Sequence, residues 1–468
     1  MSVRKINKFV ILCLLLKTAF ALEVNIPETL TDKVAIAVID LDNNKKIYSY
    51  RANQPMLLAS NMKVVTSYVA LQKLGWDFNW QTKLGYSGTI EGSTLKGNLY
   101  LIGGGDPFLN SNTINNILQS FKANTGINQI DGNIILDSSI FNNKPQNSEL
   151  HPEPYATYSV EPDGLLIDKD LTPVLVRIKN GKISLVKPDN LQFKLLNNLK
   201  YLPGKASCND ANDYVTIRKT TKNTLSLTGS LPQKCNRKEI GIYLGDDFKH
   251  DQEVIKKSLK EAGVSYGLIE SGIAPTDINT IMVHHSESIN TLLPTMNQMS
   301  DNTYAKTLFM SLGAYKSNNS DTYTNSLQLY KQTLAETFNF TELTPENGAG
   351  LSRHEKLTAK HMTELLQTVY NSPDYDKFRL SLPTPVESGT LGHDFKAYRK
   401  QLYVKTGTLD DVKAYSGYFT SNNGHSYAIS IIANDIKTNG STTELSDFKQ
   451  LFTNILSKLT SDTPESKH

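Results

Sequence analysis

Near the start of the chain, the apolar run Val34-Ala35-Ile36-Ala37-Val38-Ile39 is followed by the polar triplet Asp42-Asn43-Asn44 and then by Lys46-Ile47-Tyr48-Ser49-Tyr50. Two β-forming runs about a turn triplet predict a hairpin. From Ser60 to Leu74 the period changes: Met62, Val65, Val69 and Leu71 recur at helical spacing and Gly75 follows, so a helix is expected to start near Ser60 and stop at the glycine. Towards the C-terminus, Leu402-Tyr403-Val404, Ala414 to Phe419 and Tyr427 to Ala433 read as closely spaced strands. Glu444 to Leu459 then places Leu445, Phe448, Leu451, Phe452, Ile455 and Leu459 on one helical stripe, which suits docking on that sheet better than lying on a membrane. Met282 to Tyr315 and Thr358 to Tyr370 also read as helical, while His284-His285 suggests a strand end. The fold class is therefore α+β, an antiparallel sheet flanked by helices. Between its two halves lies a long, mostly β middle with short runs such as Asn98 to Ile102, Gly132 to Leu136 and Val174 to Ile178.

That pattern gives a division into a first segment 1–21, a discontinuous sheet-and-helix unit 22–80 and 281–460, an insertion 81–280 and a polar tail 461–468. The first 21 residues have basic Arg4, Lys5 and Lys8, the apolar run Phe9 to Leu16 and the cleavage-like Ala19-Phe20-Ala21, the three parts of a secretory signal. The run is shorter than the roughly 20 residues a membrane span needs. Export to the periplasm, or loose association with the envelope, is expected, with no strong membrane anchor. The whole chain carries a formal +3, and losing that segment with its four cations and no acid leaves about −1. A near-neutral chain without a basic stripe gives no support for nucleic-acid binding.

Of three cysteines, Cys208 and Cys235 lie beyond the signal, and an even pair in an exported chain is a candidate disulfide. They flank Tyr214 to Arg218 and Leu225 to Gly229, a hairpin pattern whose ends a bridge would close. No His-Glu-x-x-His or paired Cys/His spacing occurs, so neither metal nor cofactor is expected. Gly103-Gly104-Gly105-Asp106-Pro107 lacks the Gly-Lys-Ser/Thr ending of a phosphate loop and reads as a tight turn.

Ser60-Asn61-Met62-Lys63 puts a hydroxyl and an amine on one face of a helix start, where an amine kept neutral by burial can activate the serine. Alone the pattern is weak, because Ser93 to Lys96, Ser184 to Lys187 and Ser446 to Lys449 share it. Ser300-Asp301-Asn302 after an apolar helical stretch and Lys405-Thr406-Gly407-Thr408 after the strand Leu402 to Val404 change the odds. In that order the three motifs are the signature set of penicillin-binding proteins and class A β-lactamases.

With these motifs, and with Asp137-Ser138-Ser139-Ile140-Phe141, Gly350-Leu351-Ser352-Arg353, Leu382-Pro383, Gly389-Thr390-Leu391 and Ser416-Gly417-Tyr418, the chain resembles the class C, low-molecular-mass penicillin-binding proteins. These are D-alanyl-D-alanine carboxypeptidases and endopeptidases built on a β-lactamase/transpeptidase-like domain, with extra domains inserted where the long gap between Ser60 and Ser300 stands here. The resemblance implies that Ser60 attacks, Lys63 takes its proton, Ser300 relays a proton to the leaving amine and Asn302 holds the substrate amide. It also implies that Lys405 keeps the pocket positive, that Thr406 and Thr408 about Gly407 bind the terminal carboxylate, and that Ser60 and Thr408 N–H groups form the oxyanion hole. Peptidoglycan stem peptides and β-lactams are the partners so implied. Asp137 and Arg353, with Asp410 as an added contact, are expected to hold the zwitterionic end of a meso-diaminopimelate side chain. Two departures stand out: Glu346-Asn347-Gly348-Ala349-Gly350 is looser than the family's Asp-Gly-Ser-Gly, and Lys306 follows Tyr304-Ala305 where a Glu is common. A β-lactamase shares the motifs, and a non-catalytic wall-binding module is the third reading. The large insertion argues against the former and the intact Ser60, Lys63 and Lys405 against the latter.

Overall fold

Five antiparallel strands in the order Leu402–Leu409, Val412–Thr420, Ser426–Asn434, Val34–Asp40 and Lys45–Tyr50 carry the site. The computed structural model describes residues 22–143, 153–189, 191–204, 206–245, 247–317, 321–340, 342–392 and 394–460. The segment read as a signal, 1–21, and the tail 461–468 lie outside the described residues. The strand Val34–Asp40 lies inside the sheet between Ser426–Asn434 and Lys45–Tyr50 and is buried on both faces, with period-two alternation dividing its side chains between two cores. Val34, Ile36 and Val38 meet Phe448, Leu451, Phe452, Ile455 and Leu459 of the helix Thr443–Thr460, so that helix docks on the sheet. Ala35, Ala37 and Ile39 face the other core, with Met62, Val65 and Val69 of the helix Met62–Lys73 and Met362, Leu365 and Leu366 of the helix Ala359–Tyr370. The helix Met62–Lys73 is buried along its whole first two turns. It ends before Gly75, whose φ of +83° closes it.

The middle of the chain makes a second five-stranded sheet in the order Ile269–Ser271, Ile134–Asp137, Leu99–Ile102, Asn79–Tyr86, Asn279–Ser288, with the helices Ser111–Thr125 and Asp247–Ala262 packed on it. Two three-stranded sheets share a further core of Val174, Val176, Leu225, Leu227, Ile240 and Ile242. The hairpin Val215–Thr221 and Thr224–Pro232 is antiparallel, and Cys208 and Cys235 on either side of it form a disulfide with Cα atoms 5.3 Å apart. At the glycine run, a Cβ on Gly103 would stand 2.1 Å from the Gly164 carbonyl and one on Gly104 2.2 Å from that of Gln81. Close backbone approach, not phosphate binding, accounts for those glycines.

One expected element is wrong. Met282 to Ser288 belong to the strand Asn279–Ser288, which pairs with Asn79–Tyr86, and helical structure begins only at Ile289. His284 and His285 sit inside that strand opposite Thr82 and Gln81. Its burial alternates residue by residue, so pairing with a strand roughly 200 residues distant decides the conformation over local preference. The remainder of the expected helix is two, Ile289–Met299 and Asn302–Lys316, broken at Ser300. No helix among the described residues is long and apolar enough to cross a membrane.

Candidate active site

Ser60 lies in the single 3-10 turn Ala59–Asn61 that leads into the helix Met62–Lys73. Ala59 takes a φ of +46°, rare for a residue with a side chain, so the turn is strained just before the hydroxyl. Two glycines lock it. A Cβ on Gly350 would stand 1.8 Å from the Ala59 carbonyl oxygen, and one on Gly407 would stand 2.7 Å from that of Leu58. The Lys-Thr-Gly strand does not stop at Val404 as its sequence suggested: Leu402–Leu409 runs straight through the motif and brings Gly407 against the serine turn.

The Lys63 amine donates to Ser60 Oγ at 3.1 Å, to Asn302 Oδ1 at 2.6 Å and to the Ala349 carbonyl at 2.7 Å. Lys63 is fully buried. Burial pushes its ammonium down from 10.5 to about 7, with Asp301 and Glu355 opposing and Lys306 assisting. Ser300 caps the helix Ile289–Met299 in the left-handed region, φ 58° and ψ 35°, and Asp301 caps the next helix by accepting from the Tyr304 N–H at 3.0 Å. This sharp break aims Ser300 Oγ at the Lys405 amine, 2.9 Å away, and Asn302 at Lys63. Lys405 also donates to the Thr406 carbonyl at 3.0 Å. Its burial lowers its proton affinity strongly, with Lys63 and Lys413 adding repulsion. Thr406 Oγ1 meets Thr390 Oγ1 at 2.5 Å, and Thr408 Oγ1 accepts from Lys413 at 2.8 Å. Beneath the serine, Asn61 donates to Ser416 Oγ at 2.8 Å, which meets Ser430 Oγ at 2.9 Å. The structure thus gathers Ser60, Lys63 and Asn302 into one hydrogen-bonded group and Ser300 and Lys405 into a second. A buried amine beside a hydroxyl can accept its proton, and the second hydroxyl and amine give a route for a proton on the opposite side.

Asp137 and Arg353 are not joined. Asp137 is buried at the end of the strand Ile134–Asp137, where it accepts from the backbone N–H of Ser139 at 2.9 Å and of Ala274 at 2.7 Å and so fixes two turns. Arg353 pairs instead with Asp411 at 2.6 Å, both half-exposed. Asp410 accepts from Asn439 at 3.0 Å. The two departures have structural explanations. Lys306 is buried, donating to Glu161 at 2.9 Å and to the Val160 carbonyl at 3.0 Å, so its counter-charge comes from the middle of the chain. The 346–350 segment is gathered around Glu355, whose carboxylate accepts four of its or its neighbours' N–H groups. Sequence reasoning missed Glu355 and also Lys169, which pairs with Asp301 and stands 4.0 Å over the Tyr304 ring. Lys169 is held there by three successive left-handed residues, Asp168, Lys169 and Asp170, a signal no sequence pattern carries.

Among the described residues one group has metal-ligand spacing, Asp40 and Asp42 at the first hairpin turn with His425 from the turn before the strand Ser426–Asn434. Its carboxylates already accept from Asn43, Tyr370 and Ser426, as turn residues do. A cavity of about 710 Å³ lies elsewhere, lined by Asp168, Thr172, Glu239, His250 and Lys257 among others, and includes none of the five gathered side chains.

A serine and lysine three residues apart at the head of a buried helix, with Ser-Asp-Asn at a helix break and Lys-Thr-Gly on the sheet, define the class of penicillin-binding and β-lactamase-like serine enzymes. Residues 19–455 match the model of the D-Ala-D-Ala carboxypeptidase 3 (S13) family, and the chain belongs to that family of serine-type D-Ala-D-Ala carboxypeptidases. It is 26% identical over 423 residues to a D-alanyl-D-alanine carboxypeptidase of an Actinomadura species, covering 85% of this chain and 77% of the relative. It is 24% identical over 413 residues to the D-alanyl-D-alanine carboxypeptidase DacB of Haemophilus influenzae, covering 85% of each. The crystal structure of penicillin binding protein 4 from that organism superposes with a TM-score of 0.75 at 21% identity, over 92% of this chain and 97% of that one. A predatory endopeptidase of Bdellovibrio bacteriovorus shares the fold at a TM-score of 0.52 and 14% identity, over 91% and 92% of the two chains.

Proposed function

We propose that this enzyme cleaves the peptide bond before a terminal D-alanine of peptidoglycan stem peptides, and D,D-crosslinks between them, through an acyl-enzyme on Ser60. The observation that carries the reading is the fully buried Lys63 amine, brought to about 7 and set 3.1 Å from Ser60 Oγ. Lys63 takes the proton of Ser60 as Oγ bonds to the carbonyl carbon. The tetrahedral oxyanion is met by the N–H groups of Ser60 and Thr408. When it collapses, the carbon–nitrogen bond breaks and Ser300, fed by Lys405, gives a proton to the leaving amine. Water then adds to the ester carbon and gives a proton to the Ser300–Lys405 pair, the carbon–Oγ bond breaks, and Lys63 returns its proton to Ser60. Asn302 holds the substrate amide, and Thr406 and Thr408 bind the terminal carboxylate. Gly407 leaves room for the strand to approach.

A β-lactam offers the same carbonyl with a leaving nitrogen tethered in its ring, so it acylates Ser60 and blocks the site. Related folds in complex with a β-lactam and acylated by penicillin G support this. The enzyme acts in the periplasm after export by residues 1–21. We also read 22–80 with 281–460 as its catalytic unit and 81–280 as an insertion. Antiparallel pairing of Asn79–Tyr86 with Asn279–Ser288, which sets the departing and returning chain side by side, supports that division. Mass spectrometry of the intact protein after exposure to penicillin, with peptide mapping, tests the reading. A persistent adduct on Ser60 and release of D-alanine from a pentapeptide are expected. No adduct, or one on another residue, refutes it, and rapid turnover of the drug points to a β-lactamase.

A further inference from the structure

Glu355 stands outside every catalytic motif, yet it is fully buried beside the site. Its Oε1 accepts from the backbone N–H of Glu346 at 2.9 Å, of Asn347 at 3.1 Å and of Gly348 at 3.1 Å, and its Oε2 from that of Gly350 at 3.1 Å. Four donors and no acceptor is the pattern of a carboxylate rather than a carboxylic acid. Burial, with the Glu346 charge, raises its proton affinity above the usual carboxylate value, and the N–H groups of Glu346, Asn347 and Gly348 oppose that rise. The segment 346–350 is therefore wrapped around one buried negative charge. That segment in turn meets the serine turn and its helix at three points. The Ala349 carbonyl accepts from Lys63 at 2.7 Å, the Gly348 carbonyl accepts from Thr66 Oγ1 at 2.7 Å, and the Gly350 α-carbon packs on the Ala59 carbonyl.

We propose that Glu355 is a positioning residue for acyl transfer, holding the 346–350 segment so that the Ala349 carbonyl aims the Lys63 amine at Ser60. This rests on the reading of Lys63 as the base of Ser60. Lys63 has three hydrogen-bond acceptors, Ser60, Asn302 and Ala349, so its lone pair is aligned with Ser60 only while the other two stay in place. Charge adds a second effect. Asp301 and Glu355 favour the Lys63 ammonium, Lys306 disfavours it and Lys405 repels it from across the site. Around Glu355 itself stand Glu346, Tyr330 and Tyr323. Removing the Glu355 charge takes away one of two anions that hold the proton on Lys63, so the amine becomes free at lower pH.

The test is the rate constant for penicillin acylation of the full chain from pH 5 to 9, with melting temperatures, for wild type, Glu355→Gln and Glu355→Asp. In Glu355→Gln the midpoint of the acid limb should move down by about one pH unit, the lower end of what one nearby charge does. Its plateau should fall about tenfold, because an amide NH₂ then faces the Gly350 N–H and the segment shifts. Glu355→Asp keeps the charge but falls one methylene short, so its plateau should drop while its midpoint stays. A folded Glu355→Gln with the wild-type midpoint and plateau overturns the proposal, as does one that only loses melting temperature. If neither variant folds, Asn347→Ala removes the bond from Ala349 N–H to Asn347 Oδ1 within the same segment. It should lower the plateau alone, and a wild-type plateau there overturns the proposal. A wild-type chain that gains no β-lactam on Ser60 refutes the functional reading and this proposal with it, whereas acylated wild type with indifferent variants refutes this proposal alone.

Discussion

If Ser60 attacks with Lys63 as its base, as proposed, the pH at which it becomes reactive should follow from the burial of one amine. Lowering Lys63 from 10.5 to about 7 costs its charged form about 5 kcal/mol, since each tenfold change in proton affinity is worth 1.36 kcal/mol. The amine is then about 9% neutral at pH 6, about half neutral at pH 7 and about 90% neutral at pH 8. Only the neutral form can take the serine proton. The second-order rate of acylation by penicillin should therefore rise about fivefold from pH 6 to 7, less than twofold from 7 to 8, and then level. Stopped-flow or quenched labelling with a fluorescent penicillin measures it directly, and the drug's carboxylate stays ionised throughout. Lys63→Ala should lose roughly 10² to 10⁴ of the plateau rate and the limb with it. A wild-type rate that still climbs tenfold per pH unit at pH 9 would show an ordinary, solvated lysine. A rate flat from pH 5.5 to 8.5 would show that no group near 7 accepts the proton, and either result refutes the reasoning.

Three further outcomes follow from local structure. Replacing Cys208 and Cys235 by serine opens a loop with a sequence separation of 27 and should cost about 3.5 kcal/mol by the chain-entropy relation, with acylation unchanged; urea unfolding beside the acylation assay checks both. Gly350→Ala places a methyl 1.8 Å from the Ala59 carbonyl at a φ of +85°, so the serine turn must move and acylation should fall by about 10² or more while the circular dichroism stays native. Val386 is β-branched at a φ of +68° on an exposed loop, and Val386→Gly should stabilise the protein by about 1 kcal/mol, the relief of strain less the added chain entropy, seen as a raised melting temperature.

The hairpin at 34–50 was legible from two β-forming runs about a polar turn, and the helix after Ser60 and the docking helix 443–460 from the helical spacing of their apolar residues. Ser60 and Lys63 were legible as neighbours for the same reason, a helical turn between them. Ser300, Asn302 and Lys405 are different: nothing local says that Asn302 will meet a lysine 239 positions away, and only their motifs pointed to them. Met282 to Ser288 misled because their side chains do not alternate apolar with polar, although their burial does, and the edge strand takes its conformation from its partner. Asp137 and Arg353 misled because charge type was visible and engagement was not; one carboxylate is spent on backbone N–H groups and the guanidinium has a neighbouring aspartate. Glu355 left no trace at all, since its role depends on four main-chain donors that exist only once the 346–350 segment has folded around it.

The pairing of Val34–Asp40 with Ser426–Asn434 ties together segments about 400 residues apart. A sheet whose centre is made from the two ends of the chain has its costliest loop closure built into its active domain. During synthesis the strand Val34–Asp40 must wait, apolar on both faces, until nearly the whole chain has emerged. The serine turn rests on that sheet, so any fragment lacking the last three strands should have no organised nucleophile, and the waiting strand is where aggregation should begin. Chemical competence should therefore arrive late in synthesis, once the last strands have closed the sheet.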